Sequence, residues 1–351
     1  MPLFYHKTKL SFRNFLKLSF SRSSLIYALI YTNLLPKEGQ VKHLAFSNLT
    51  IEEIKPLQAE KGLVMIILHN GFSFEHKIAS GASGFDGKFW PWEKPLVWSG
   101  LIDPSLFLNT TKTLTLPPRR GNFRWWNPSR CVRLIPGGAV NTFGLTNKGF
   151  YWWCRKIGPR INSQENPLAV SILGEIRELA EMADRLNDFD IVALEDNASC
   201  PNTSCDILNN TEKVIEGVRN IHEISRFPII LKLSVTHDIE TIVKETEGMV
   251  AAYDINSVPW HIVFPGKPSP LARFGGGGVS GKSAQPHTWA LVEKIAQLTS
   301  VPVIGPSVWD FEDIAKIRAK GAKAIEWGSI FLKHPLRPTK YIKRDMQQQY
   351  S

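Results

Sequence analysis

From about residue 100 onward the chain alternates short apolar runs with amphipathic ones, and this alternation restricts the fold more than any other feature. Candidate strands are LFLNTTKTLT (106–115), LAVSIL (168–173), DIVALE (190–195), PIILKLS (228–234), MVAAYDI (249–255), VPVIG (301–305) and KAIEWGS (323–329). Helical periodicity falls between them, near 175–187, 211–225, 238–247, 286–299 and 310–320. The last segment has Asp310 to cap its start, Asp313 three residues on, and Gly321 for the left-handed position after its end. Strands separated by helices pair in parallel, because the helix carries the chain back across the sheet. No GxGxxG follows the early strands, and polar residues gather at strand C-terminal ends, where a (β/α)8 barrel builds its site. The expected fold class is therefore α/β, a (β/α)8 TIM barrel with an N-terminal helical extension. A length of 351 residues suits an extension over 1–40, a barrel over 41–335 and a tail over 336–351.

The residues at those strand ends are unusually polar. They include Lys112 and Thr113, Ser171, Asn197 with Ser199, Cys200 and Asn202, Lys232, Asn256 with Ser257, and Gly328 with Ser329. A lone lysine at a strand end is usually salt-bridged, and a lone asparagine usually forms a turn. Several amides, two lysines and a thiol at successive ends suit a planar heterocycle, because amide side chains both donate and accept. The glycine run 275–278, taken as following a late strand, offers consecutive backbone N–H groups, a nest for phosphate. Cys131, Cys154, Cys200 and Cys205 are too few and too irregular for a disulfide framework or a metal-cluster pattern.

In order and spacing, eight stretches resemble the dihydroorotate dehydrogenase family, flavin-dependent barrels of pyrimidine biosynthesis. They are IASGASG (78–84), TKTLTLPPRRGN (111–122), VNTFGLTNKGF (140–150), DNASCPNT (196–203), LKLS (231–234), DINS (254–257), GGVSG (277–281) and GAKAIEWGS (321–329). The resemblance implies FMN as cofactor and dihydroorotate as substrate, with Cys200 as the base that takes the C5 proton. Asn141, Asn197, Asn202 and Asn256, with Ser257, would surround the pyrimidine, and the backbone of Phe143, Gly144 and Leu145 would meet its carboxylate. Lys112 would lie between flavin and substrate, and Lys232 at the N1/O2 side of the isoalloxazine. Ala79, Ser80, Gly81, Thr113 and Ser171 would line the flavin, and Gly277, Gly278, Ser307, Gly328 and Ser329 its phosphate end. The chemistry agrees: oxidising a saturated C–C bond requires a hydride acceptor no side chain supplies. A thiol with a reference pKa of about 8.5 can act as the base.

Two features depart from the family pattern. VIGPSVW (303–309) puts Ser307 and Val308 where a Gly-Gly pair is usual, and a β-branched residue resists positive φ. The first 37 residues hold no Asp or Glu but carry Lys7, Lys9, Arg13, Lys17, Arg22 and Lys37, and account for much of the net charge of +10. An arm of this kind is typical of the membrane-associated branch, whose base is usually serine, so the terminal acceptor (quinone, fumarate or NAD) stays open. Three readings of the arm compete: a helix on an anionic membrane surface through residues 1–36, an organellar transit peptide, or a helix docked on the barrel. The expected location is cytoplasmic, at the inner face of a membrane if the arm binds there, and the expected assembly is a homodimer. The tryptophan-rich segment 85–160 reads as packing, with no nucleic-acid partner expected. Other readings are a dihydropyrimidine dehydrogenase-like or tRNA dihydrouridine synthase-like enzyme, and a degenerate, non-catalytic barrel.

Overall fold

The structure, a computed structural model, describes residues 64–124, 126–199 and 210–349. The 1–40 extension, Cys200, Asn202 and Cys205 lie outside the described residues. Eight parallel strands, β1 (His76–Ile78), β2 (Asn109–Thr110), β3 (Leu168–Ile172), β4 (Ala193–Asp196), β5 (Ile229–Leu233), β6 (Ala252–Ile255), β7 (Val303–Gly305) and β8 (Ala322–Trp327), pair in the order β1-β8-β7-β6-β5-β4-β3-β2. A parallel bridge between Lys77 and Leu108, with Ile78 N–H donating to Leu108 O at 2.9 Å, joins β1 to β2 and closes the barrel.

The strands are shorter than their apolar runs, for local reasons. In the 106–115 run the ladder covers only Asn109–Thr110, because Lys112 N–H turns away to Gly84 O at 2.6 Å. Pro302 cannot donate, so β7 starts at Val303. The helices follow their patterns closely. Ile176–Leu186 buries Leu179, Met182, Ala183 and Leu186 along one stripe and starts in a capping box between Glu175 and Glu178. Gly321 takes φ +101° after helix Asp313–Ala319, as expected, but the start of that helix differs. Its N-cap is Glu312, and the Asp313 carboxylate reaches back to accept from Trp309 N–H at 3.1 Å and Asp310 N–H at 2.9 Å. The C-terminal residues, read as a tail, form helix Arg337–Gln349, which buries Ile342 and holds Arg318 bidentately through Asp345 at 2.7 and 2.8 Å.

Alternation along the strands sorts the barrel interior into tiers. Leu108, Ala169, Ala193, Ile230, Ala252, Ile304 and Ala324 pack together with Ile66, Leu68 and Phe74 of the antiparallel hairpin Ile66–Ile67/Ser73–Phe74, which plugs the lower end. Small alanines make room for the large hairpin side chains. Two residues further along, the interior becomes ionic, with Lys77, Glu195, Lys232, Asp254 and Glu326. Two residues beyond that come Ala79, Asn197, Ser234, Asn256 and Gly328, at the C-terminal mouth.

A second sheet is inserted after β2 and β6. Its strands Val258–Pro259, Gly278–Gly281, Gly138–Asn141 and Val132–Ile135 are antiparallel in that order. The glycine run does not follow a barrel strand, as the sequence suggested. It leads into this sheet, with Gly278 opposite Asn141 and with φ of 82°, 90° and 88° at Gly275, Gly276 and Gly277. Antiparallel pairing between segments over 130 residues apart leaves no local signature, so the sheet was invisible in the sequence. At Gly281 φ is +94°, and a Cβ would stand 2.5 Å from Gly137 O and 3.1 Å from the Trp309 ring. Gly281→Ala is expected to cost about 1–3 kcal/mol, read as a lower denaturant midpoint; an unchanged midpoint would show that this junction has slack.

Candidate active site

Five expected site residues are joined across the mouth by side-chain hydrogen bonds. The Thr113 and Ser171 hydroxyls lie 3.0 Å apart, and Asn197 Nδ2 donates to Thr113 Oγ1 at 2.9 Å. Asn256 Nδ2 donates to Asn197 Oδ1 at 3.4 Å and to Ser199 O at 3.1 Å, and Ser257 N–H donates to Asn256 Oδ1 at 2.7 Å. Four strand ends are thereby tied into one polar arc, which holds each amide in a defined orientation. Asn197 is buried while Asn256 and Ser257 are half-buried, so the arc opens toward the mouth.

A second group gathers at the rim around Lys112, the residue before Thr113. Lys112 Nζ stands 5.0 Å from the Phe143 ring, a cation–π contact, and the Lys112 side chain runs within 4.0 Å of where a Gly81 Cβ would be. Ala79 N–H donates to Trp327 O at 2.9 Å, which brings Ala79 beside Gly328. Ser80 lies between Ala79 and Gly81 on the same turn. The turn over 143–145 is built from left-handed residues, Gly144 at φ 64° and Leu145 at φ 55°. Leucine there costs about 1–3 kcal/mol, and the surroundings hold it: Asn147 Nδ2 donates to Leu145 O at 2.7 Å, and Asn122 N–H to Phe143 O at 2.9 Å. Asn122 and Asn147 fix this turn, and in the sequence nothing but their places within 111–122 and 140–150 marks them. Asn141 sits at the end of its strand, opposite Gly278.

The 303–309 departure resolves in an unexpected way. The left-handed φ, +68°, falls on Ser307 and not on Val308, which is buried. Ser307 O accepts from Gln285 Nε2 at 2.9 Å, and Gln285 also donates to Asp313 Oδ2 at 2.8 Å. The Asp313 carboxylate thus takes the Trp309 and Asp310 amides, so Ser307 sits in a turn tied internally. Gly328 and Ser329 lie at the end of β8, before the short helix Ile330–Lys333.

Lys232, expected beside the flavin, also belongs to an ionic cluster inside the barrel. Its ammonium lies 2.9 Å from Asp254 Oδ2 and pairs also with Glu326; Lys77 pairs with Glu195 at 2.6 Å, Asp254 at 2.8 Å and Glu326 at 2.9 Å. Burial pulls the Lys232 pKa down, but Asp254 and Glu326 outweigh it and leave it raised; Lys77 is raised in the same way. Burial pushes Asp254 up, yet Lys232 and Lys77 hold it below the carboxylate range, whereas burial and then the Asp254 charge raise Glu326. Glu195, Asp254 and Glu326 could by geometry hold a cation, but the two ammonium groups already fill that role. The signal for this tier was available in the sequence: one charged residue two positions before the mouth residue in HKIA, LEDN, YDIN and IEWG.

Asp196, adjacent to the arc, is pushed up to about 7 by burial and then by the Glu195 charge, and its Oδ1 has no hydrogen-bond partner among the described residues. Between its ordinary value of 3.8 and about 7, the folded chain keeps a proton that the unfolded chain has released. Stability therefore falls as pH rises through that window, with the full loss above it. Asp196→Asn is expected to flatten this part of the stability–pH curve and to raise stability in mildly alkaline buffer. A curve of unchanged slope would show that Asp196 ionises freely.

The tryptophan-rich segment divides between core and surface. Trp153 is buried and donates to Phe85 O at 2.8 Å; Trp90 donates to Gly81 O at 3.0 Å and stacks on Trp92 at 5.3 Å, while Trp92, Trp98 and Trp126 are exposed. Cys131 and Cys154 are free and buried, and burial pushes Cys154 up to about 11. Among the described residues no helix is long and apolar enough to cross a membrane.

A closed parallel barrel builds its site at the C-terminal mouth, and the amides, glycine turns and lysine found there suit a planar cofactor and its substrate. The family model described as dihydroorotate dehydrogenase matches residues 60–349. The catalytic subunit of dihydroorotate dehydrogenase B (NAD(+)) from Desulforudis audaxviator is 33% identical over 269 residues, 73% of this chain and 82% of that protein. The protein of the same name from Carboxydothermus hydrogenoformans is 33% identical over 228 residues, 62% of this chain and 72% of that one. Among solved structures, ligand-free DHODH from Eimeria tenella superposes with a TM-score of 0.61 at 16% identity, covering 80% of this chain and 86% of that one, a likeness of fold. The chain belongs to the dihydroorotate dehydrogenase family. That makes it an FMN-dependent oxidoreductase acting on a CH–CH bond, that of dihydroorotate, in pyrimidine biosynthesis.

The residues at the mouth fit the flavin ring. An ammonium has three donors, of which Asp254 and Glu326 take two from Lys232, and Gly81, at φ +92°, leaves the space above it open except for Lys112. In the glycine run, Gly275 N–H and Gly276 N–H already donate to Ala272 O at 3.0 Å and Leu271 O at 3.3 Å, so that part of the expected phosphate nest is closed by its own turn.

Proposed function

We propose that dihydroorotate binds at the mouth between the Asn197–Asn256 arc and the Lys112–Phe143 rim, and that Cys200 removes its C5 proton. The observation that carries this reading is the hydrogen-bonded arc Ser171–Thr113–Asn197–Asn256–Ser257. Once bound, FMN supplies the hydride acceptor. The arc, with Asn141 and Asn202, holds the pyrimidine edge, and the 143–145 backbone takes the carboxylate. The thiolate of Cys200 accepts the proton, and Lys112 keeps a positive charge beside the reacting carbon. Cys200 and Asn202 lie outside the described residues, and their part rests on the SCPN motif (199–202), whose Ser199 accepts from Asn256 in the arc.

The names of the bacterial relatives, catalytic subunits of an NAD-linked enzyme, favour a second subunit that carries electrons onward to NAD. The reading is tested by loading the protein with FMN and titrating it with orotate, the product. One flavin per chain and an orotate-induced shift of the flavin band are expected, with Asn197→Ala losing the shift but keeping the flavin. Binding of orotate undiminished in Asn197→Ala would contradict the arc's role.

A further inference from the structure

The ionic tier lies directly beneath the mouth, and its arrangement bears on the cofactor. Asp254 Oδ2 is 2.8 Å from Lys77 Nζ and 2.9 Å from Lys232 Nζ, and Glu326 is shared between the same two ammoniums. All four side chains are buried, so their charges act over several ångströms with little screening. Three carboxylates, counting Glu195, face two lysines. We propose that Asp254, with Glu326, is a positioning residue for Lys232 that fixes its ammonium beneath the flavin and limits the positive charge it presents to the ring. The proposal rests on Lys232 lying at the N1/O2 side of the isoalloxazine.

An unopposed ammonium there would favour the reduced, negatively charged cofactor strongly. Carboxylates on its lower side oppose that preference and lower the reduction potential. Asparagine at 254 keeps the shape of the side chain, and its Oδ1 can still accept from Ile255 N–H, a bond of 2.7 Å in this structure. The Lys77 and Lys232 charges hold Asp254 ionised despite its burial, so the substitution removes a real charge.

The potential of the bound flavin is measured by equilibration with a reference dye in FMN-loaded wild type, Asp254→Asn, Glu326→Gln and Lys232→Met. Asp254→Asn is expected to shift the oxidised–reduced equilibrium about tenfold toward reduction, about 30 mV upward for a two-electron couple. Glu326→Gln should move it upward too, and Lys232→Met downward. A packing disturbance would not give opposite signs for the acid and the base. If Lys232→Met leaves the potential unchanged, the placement of Lys232 beside the flavin is wrong. If Lys232→Met lowers it while Asp254→Asn does not raise it, that placement stands and this proposal falls. Should Asp254→Asn fail to retain flavin, the sign of the Glu326→Gln shift decides in the same way.

Discussion

Lys77→Met is expected to destabilise the protein by about 3–5 kcal/mol, the cost of leaving buried carboxylates without their counter-charge. Lys77 is fully buried and touches Glu195, Asp254 and Glu326, so one substitution leaves Lys232 alone to face three acids. Urea unfolding followed by tryptophan fluorescence reads the effect, because Trp153 and Trp327 are buried in the core. Combining Lys77→Met with Glu195→Gln should recover a large part of the loss, since the orphaned charge is then removed as well. A single-variant loss below about 1 kcal/mol, the level of an exposed pair, would mean that the tier is solvated.

Cys200→Ala carries the largest kinetic effect. Flavin reduction by dihydroorotate is expected to slow by about 10²–10⁴-fold, the usual worth of a positioned proton-transfer group. Flavin and orotate should still bind, because the arc and the lysines remain. Cys200→Ser should lie between wild type and alanine, and the wild-type rate should rise with pH through one ionisation that moves in the serine variant. Cys205→Ala is the control, with nearly full activity expected. Equal losses in both alanine variants would give the loop a structural part only, and an unimpaired Cys200→Ala would remove the thiol from the chemistry.

The barrel was legible because its evidence is local. Seven of the eight strands are apolar runs, and the helices between them keep their 3.6-residue period. The missing strand, β1, is only three residues long and carries His76 and Lys77, so no apolar run marks it. The small antiparallel sheet escaped because it pairs 138–141 with 278–281, and pairing between segments so far apart in the chain leaves no local pattern. The gathering of amides at the mouth was legible for a different reason: they close successive apolar strands, which puts them at one end of the barrel. The ionic tier was overlooked although its residues are plain to read, because a charge inside a strand looks outward-facing until the barrel fixes which face is interior. Lys232 was expected at the flavin, and the acids beneath it became visible only when β5, β6 and β8 were brought together.

Oxidation of dihydroorotate at this mouth is followed by mixing the FMN-loaded protein with dihydroorotate in the absence of oxygen and recording the visible flavin band. Bleaching in a single phase is expected, with one orotate formed per flavin, and a much slower phase with dihydrouracil, which lacks the carboxylate that the 143–145 backbone would hold. A flavin that binds but stays oxidised with dihydroorotate, or is reduced equally fast by dihydrouracil, would contradict this reading of the mouth.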